Sequence, residues 1–361
     1  MRSWVEVSLG RIRANFRAVR ALVGESVEVM PVVKADAYRH GAVAVAHALE
    51  AEGARWLAVS NVEEGCVLRQ AGTQSRILVM ADFLEDERDM LAANHLTPVI
   101  HSLADLSAVR VPYHLKIDTG MNRLGTRAEP DEIARAAAAA SVPLEGLMTH
   151  LASSGNYESD QTEKQLQRFE AVIEGLRRAG ITPRYVHSSA TTPVAYRRRE
   201  AWGNLVRPGH AIYGYVSPAR GAPARALNVA PALTWKVTVL EVKDVEAGAL
   251  IGYGGIHRAA RPMRIAVLAA GYADGIPHRL GNRGQVIVKG RLAPVVGAVS
   301  MDLTTIDATG CPDLKPGDAV TLLGSEGGVS INAQQMAKWA GTISYAVLCG
   351  IHARVKRVYI D

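Results

Sequence analysis

The sequence predicts an α/β fold, a (β/α)8 TIM-like barrel followed by a smaller, mainly β C-terminal domain. Three observations carry this. Eight short apolar runs alternate with helical stretches as far as Arg207. After about Ala226 the texture changes to strands separated by Gly, Pro and Asp turns. Reactive side chains recur at or just past the C-terminal ends of the early strands, the face on which barrel sites are built. At 361 residues the chain exceeds what one core usually serves, and a barrel of roughly 250 residues leaves room for a second unit. The expected boundaries are 1–225 for the barrel and 226–361 for the C-terminal domain.

Runs of apolar residues bounded by turn signals predict strands at Val27–Lys34, Trp56–Ser60, Arg76–Met80, Thr97–His101, Tyr113–Thr119, Leu144–His150, Tyr185–Ser189 and Asn204–Arg207. Helical periodicity fills the intervals at Ala42–Glu52, Val62–Gln70, Glu85–Ala93, Asp131–Ala140 and Gln161–Arg178. An open doubly wound sheet is the alternative. The barrel is favoured because Lys34, Lys116, Asp118, His150, Ser189 and Arg207 all fall at strand ends on one face. Beyond Ala226, strands are expected at Trp235–Val242, Met263–Ala269, Gln285–Val288, Ala319–Leu323 and Arg354–Ile360, with one helix near Asn332–Ala340. The N-terminal segment alternates like a strand, and the sequence assigns it to neither domain.

Composition narrows the function classes. Three widely spaced cysteines, Cys66, Cys311 and Cys349, fit neither a disulfide framework nor a zinc site, so no metal is expected and a reducing cytoplasm is the expected location. Met1–Ser8 does not resemble a signal segment, and no apolar run reaches membrane-spanning length. The formal charge of +6 is spread thinly except at Arg197-Arg198-Arg199, expected to be a solvated helix face. Neither nucleic acid nor membrane is an expected partner. A positive balance also suits a site for small anions.

Val32-Val33-Lys34-Ala35-Asp36-Ala37-Tyr38-Arg39-His40-Gly41 is the most informative stretch. A lone lysine at the end of an apolar strand is ordinarily solvated. In low-dielectric surroundings its ammonium form is disfavoured, and the amine can then form a Schiff base or carry a proton. Tyr38 follows four residues on.

This stretch resembles the cofactor segment of the alanine racemase family. The resemblance continues through Lys116-Ile117-Asp118-Thr119-Gly120-Met121-Asn122-Arg123-Leu124-Gly125, Arg207-Pro208-Gly209-His210, Gly252-Tyr253-Gly254 and Ser300-Met301-Asp302. Five motifs in one order cover essentially the whole chain. The resemblance implies a homodimeric, pyridoxal 5'-phosphate-dependent racemase interconverting L-alanine and D-alanine in the cytoplasm, with D-alanine supplied to cell-wall peptidoglycan.

The same resemblance assigns roles. Lys34 matches the lysine joined to the cofactor aldehyde and serving as one catalytic base. Tyr253, from the partner subunit, matches the opposed base; a tyrosine flanked by glycines is otherwise a turn residue. Tyr38, Ser189 and Tyr345 match the phosphate-binding hydroxyls, with backbone N–H groups of Gly209 and His210. Arg207 matches the residue beside the pyridine nitrogen, which a guanidinium cannot protonate. His150 matches a histidine stacked on that ring, although lone histidines are usually structural. Arg123 matches the arginine that reaches the cofactor's phenolic oxygen and the substrate carboxylate. Lys116 matches a lysine often carbamylated to orient that arginine; from residue type alone it could equally pair with a carboxylate. Met301 and Asp302 match a loop that the second subunit adds to the substrate pocket. Ser188 stands where the family usually has asparagine, which puts the steadying of Arg207 in question.

Two other readings compete. A related barrel enzyme decarboxylating ornithine, lysine or diaminopimelate would carry a different residue at position 253. A non-catalytic cofactor carrier would lack the long C-terminal domain.

Overall fold

The computed structural model describes residues 1–81 and 83–361. The chain divides into two compact units, one made of Arg11–Ala37 and Ala42–Ala230, the other of Met1–Gly10, Tyr38–Gly41 and Pro231–Asp361.

Among the described residues the first unit contains eight strands, numbered here after an N-terminal strand β1 (Ser3–Ser8) that belongs to the other unit. They are β2 (Glu28–Val29), β3 (Trp56–Val59), β4 (Arg76–Val79), β5 (Leu96–Ile100), β6 (Tyr113–Lys116), β7 (Leu144–Met148), β8 (Tyr185–His187) and β9 (Leu205–Val206). Strands β3 to β8 form a parallel sheet in chain order, and β2 pairs with β9 in a separate parallel ladder. Backbone bonds join that ladder to both edges of the sheet. Val33 N–H donates to Ala58 O at 2.8 Å, and Arg207 N–H donates to Ser189 O at 2.9 Å. The ring is thereby closed, and the predicted barrel is present.

Alternation along β6 shows how the barrel sorts its side chains. Tyr113 and Leu115 enter an apolar cluster with Ile133, Phe169, Val172 and Leu176 from the helices Pro130–Ala139 and Gln161–Arg178. His114 and Lys116, on the opposite parity, face the barrel interior, where they are 0% and 5% exposed.

Strand ends depart from expectation at two informative places. The expected strand Val27–Lys34 has only Glu28–Val29 in a regular ladder; Pro31 has no N–H to donate, and Met30 and Val32 continue as single bonds to Val206 O and Pro208 O. At Lys34 the chain leaves the strand for a six-residue helical turn, Lys34–Arg39. Ala35, Asp36, Ala37, Tyr38 and Arg39 all have φ between +52° and +65°, so this turn is left-handed. The basic triplet is also corrected. Arg197 and Arg199 are exposed, but Arg198 is buried, paired with Glu163 and Glu200, with its guanidinium 4.6 Å from the centre of the Tyr157 ring. Ion pairing and an aromatic face replace the water it gives up.

The second unit is mainly β. After β10 (Leu233–Val245) come β11 (Leu250–Ile251), β12 (His257–Arg258), β13 (Met263–Leu268), β14 (Gln285–Val288), β15 (Arg291–Pro294), β16 (Thr304–Asp307), β17 (Ala319–Glu326), β18 (Val329–Ile331) and β19 (Lys356–Ile360). The long β10 is the hub, pairing antiparallel with β1, β13 and β17. Strand β1 lies between β10 and β19, and Trp235 Nε1 donates to Ser3 Oγ at 2.8 Å. The expected helix is Ala333–Ala340, started by Asn332, whose side chain accepts from Gln335 N–H, and stopped by Gly341 at φ +65°. A second short helix, Ser344–Cys349, carries Tyr345 and was not predicted; six residues are too few to show a periodicity.

Candidate active site

In the barrel unit, several of the sequence-predicted residues converge on one electrostatic centre. His150 follows β7 at its C-terminal end. Burial, then the charges of Arg207, Arg123, Lys116 and Lys34, push its imidazole pKa down to about 3. His150 is therefore neutral, and the charges of four basic side chains act on it. Lys116 at the end of β6 is pushed down to about 8, first by burial and then by Arg123 and Arg207, with Asp118 acting in the opposite sense. Clustered positive charge of this kind is the complement of an anion.

Arg207, just past β9, is 2% exposed. Its Nη1 donates to His187 Nδ1 at 2.5 Å, and Nη2 donates to Thr149 O at 2.8 Å and Ser188 O at 3.2 Å. Burial lowers its pKa to about 9, which still leaves it charged at neutral pH. Arginine has no acceptor, so His187 Nδ1 must accept and its proton sits on Nε2. That proton is then donated to His114 Nδ1 at 2.8 Å. Both imidazoles are held neutral, chiefly by burial, with Arg207 contributing. The steadying of Arg207 thus comes from a histidine chain and two carbonyls, the second of them the backbone of Ser188 rather than a side-chain amide. The Ser188 and Ser189 hydroxyls both donate to Ala201 O, the latter at 2.6 Å.

Asp118 is structural. Its Oδ1 accepts from the N–H groups of Gly120, Met121 and Asn122 at 2.9–3.1 Å, and Oδ2 accepts from Arg127 Nε at 2.8 Å. Burial opposes its ionisation, but these donors hold its pKa below the usual carboxylate value. The carboxylate shapes the loop that carries the exposed Arg123. Gly125 is needed there: its φ is +123°, and a Cβ would stand 2.7 Å from Asp118 N. Gly209 and His210 are buried directly after Arg207, with the His210 ring stacked on Tyr215 at 5.0 Å.

Lys34 opens the left-handed turn. Ala35 N–H donates to Glu64 Oε1 at 2.7 Å, Ser60 N–H donates to Glu64 Oε2 at 2.7 Å, and Ala42 N–H donates to Asp36 Oδ1 at 2.8 Å.

The second unit holds the remaining predicted residues. The rings of Tyr38 and Tyr345 lie 5.8 Å apart. Tyr253 is 78% exposed, on a turn whose flanking Gly252 and Gly254 have φ of +71° and +68°, values open to glycine at little cost. Met301 and Asp302 are exposed on a loop fastened to the turn before it: Tyr272 N–H donates to Ser300 O and Ala273 N–H to Met301 O, both at 2.9 Å. Arg354 grips buried Asp274 at 2.7 and 2.8 Å and reaches Asp302 at 2.6 Å.

Sequence reasoning missed His114, His187, Glu64, Asp274 and Arg354. Strand parity would have found two of them, since His114 is two residues before Lys116 and His187 two before Ser189. No local signal identifies the other three, because their partners are distant in sequence or belong to the backbone.

The buried Lys116 gives a stability test. Its pKa lies below the value of about 10.5 that a lysine has in an unfolded chain, so folding releases its proton and is penalised at low pH. The penalty is complete below pH 8 and disappears as pH rises toward 10.5. Measured against Lys116→Met by denaturant unfolding, the wild-type chain is expected to gain about 3 kcal/mol across that window. A flat difference would refute the burial effect.

Comparison with known proteins identifies the family. Residues 7–218 match the alanine racemase N-terminal domain and residues 232–359 the alanine racemase C-terminal domain. An alanine racemase of Symbiobacterium thermophilum is 40% identical over 99% of this chain and 97% of its own length. One from Halothermothrix orenii is 37% identical over 99% and 96%. Among solved structures, alanine racemase from Clostridium difficile superposes with a TM-score of 0.93 at 32% identity, covering 100% of this chain and 96% of that one. The Bacillus anthracis enzyme with bound L-Ala-P gives 0.92 at 32%, covering 99% and 95%. With two family domains in order along nearly all of its length, the chain belongs to the alanine racemase family.

Proposed function

We propose that this protein interconverts L-alanine and D-alanine, using pyridoxal 5'-phosphate in a site shared between two copies of the chain. The observation that carries the proposal is the convergence of Lys34, Lys116, Arg123 and Arg207 on a neutral His150. Such a donor set fits a group bearing a phosphate and a phenolic oxygen, together with a substrate carboxylate. When bound, pyridoxal phosphate supplies a sink for the electron pair left at Cα as the α-proton departs.

The chain's own residues divide the remaining work. Lys34 supplies the amine that holds the cofactor aldehyde and moves a proton on one face of Cα. Tyr253 of the partner subunit moves a proton on the other face, consistent with a phenol presented outward on a glycine turn. Arg207 would lie at the pyridine nitrogen of the bound cofactor, where a guanidinium donates a hydrogen bond but does not protonate the ring, so the electron sink supplied there would be a weaker one and transamination disfavoured. His150 would stack on the ring. Tyr38, Ser189 and Tyr345, with the backbone of Gly209 and His210, hold the phosphate. Arg123 takes the carboxylate, steadied by Lys116 once that lysine carries a carbamate whose oxygens can accept from the guanidinium, and Met301 and Asp302 of the partner subunit close the substrate side. The D-alanine formed would serve peptidoglycan synthesis in the cytoplasm.

No helix of the described residues is long and apolar enough to cross a membrane. Incubating L-alanine with the protein in deuterated solvent tests the reading. Deuterium at Cα together with optical inversion is expected; carbon dioxide release would indicate a decarboxylase, and neither would leave a carrier.

A further inference from the structure

Five consecutive non-glycine residues in the left-handed region are costly, because each Cβ crowds the following carbonyl by about 1–2 kcal/mol. They persist only where the surroundings over-determine them. Here the turn from Ala35 to Arg39 directly follows Lys34, so whatever holds the turn also fixes where the Lys34 backbone stands. Ala37 N–H donates to Val33 O at 2.8 Å and Ala42 N–H to Asp36 Oδ1, which close it from within and from its far end, where His40 Nδ1 also meets Tyr38 O at 3.0 Å. The near end is held from outside, by Glu64.

Glu64 lies in the first turn of the helix Val62–Gln70, whose N-cap Asn61 already accepts from Glu64 N–H. A glutamate three residues after the cap ordinarily turns back to the cap's own N–H. This one does not. Its Oε2 accepts from Ser60 N–H, one residue earlier, and its Oε1 crosses to Ala35 N–H on the adjacent β2 segment, each at 2.7 Å. A single carboxylate therefore ties the loop after β3 to the first left-handed residue after β2, using both oxygens in short, charge-assisted bonds. Those two segments already meet at the Val32–Ala58 bridge, and the tie adds a link between them beyond it.

We propose that Glu64 is a positioning residue for the reaction: it holds the left-handed turn and thereby sets the place from which the Lys34 amine takes up the cofactor aldehyde. This rests on the assignment of Lys34 above, and the experiment separates the two.

The full chain is compared as wild type, Glu64→Gln and Glu64→Ala, with Glu63→Gln, an exposed neighbour on the same helix turn, as control. Amide hydrogen exchange is followed by mass spectrometry on the cofactor-stripped protein. Covalent uptake of pyridoxal phosphate is followed by its absorbance and by borohydride trapping at residue 34. Glu64→Ala is expected to speed exchange about 10- to 100-fold within residues 34–41 and at the Ser60 amide, the two ends of the lost tie, and nowhere else, the loss of a charged hydrogen bond. It should slow covalent uptake to a similar degree. Glu64→Gln, which keeps one acceptor, should fall between, and Glu63→Gln should match wild type.

Wild-type exchange and uptake in Glu64→Ala would overturn the proposal, as would faster exchange throughout the barrel, which would make Glu64 a general stabiliser. If the alanine variant does not fold, the glutamine variant decides by the same criteria. Failure of the wild type to trap cofactor at residue 34 would instead refute the assignment of Lys34, while the exchange result on the stripped protein would still judge Glu64.

Discussion

Lys34→Ala is expected to lower racemisation by more than about 10⁴-fold, because one side chain both anchors the cofactor and serves one face of Cα. The fold should survive. Lys34 is only partly buried and starts the left-handed turn rather than filling the core. Lys34→Ala protein should retain its circular dichroism and unfolding midpoint, yet show none of the absorbance of covalently held cofactor. A normal cofactor spectrum in this variant would refute the assignment. Loss of activity together with loss of fold would say nothing specific, so the two measurements are read together.

Tyr253→Phe is expected to cost about 10²- to 10⁴-fold in inversion, the range for removing a positioned acid or base. Cofactor should stay bound. Because one base remains, one enantiomer of alanine should still exchange its α-proton with deuterated solvent without inverting, whereas the other should not. Exchange of both enantiomers at wild-type rates would mean that another group serves that face. Mixing then decides whether the site is shared. If Tyr253 acts in the partner's site, a dimer of one Lys34→Ala chain and one Tyr253→Phe chain has both defects in one site and none in the other. Random reassociation of the two inactive variants should then restore about a quarter of wild-type activity, since half the dimers are mixed and each has one intact site. If both residues served the same chain's site, mixing would restore nothing. The 78% exposure of Tyr253 accords with a phenol whose partner lies outside its own chain.

Most of the fold was legible because its strands are short, apolar and regularly spaced, so that boundaries missed by only a few residues. Val62–Gln70 and Gln161–Arg178 were placed to the residue by their periodicity. The errors share a cause. Pro31 and the left-handed turn after Lys34 cut short a run that is continuous in hydrophobicity, and hydropathy is blind to φ. Arg198 reads as solvent-facing in a basic triplet, but Glu163, 35 positions away, supplies the charge that lets it be buried.

The types of chemical group and their order along the chain are determined by sequence alone: a lysine at a strand end, an arginine before Pro-Gly, a tyrosine between glycines, each set by a local motif. Tertiary structure alone decided how those groups behave. The depressed basicity of His150 and Lys116, the one-way donor chain from Arg207 through His187 to His114, and the clamp of Glu64 on Ala35 all join residues remote in sequence. Charge interactions and hydrogen bonds depend on distance and burial in three dimensions, and neither quantity exists until the barrel closes.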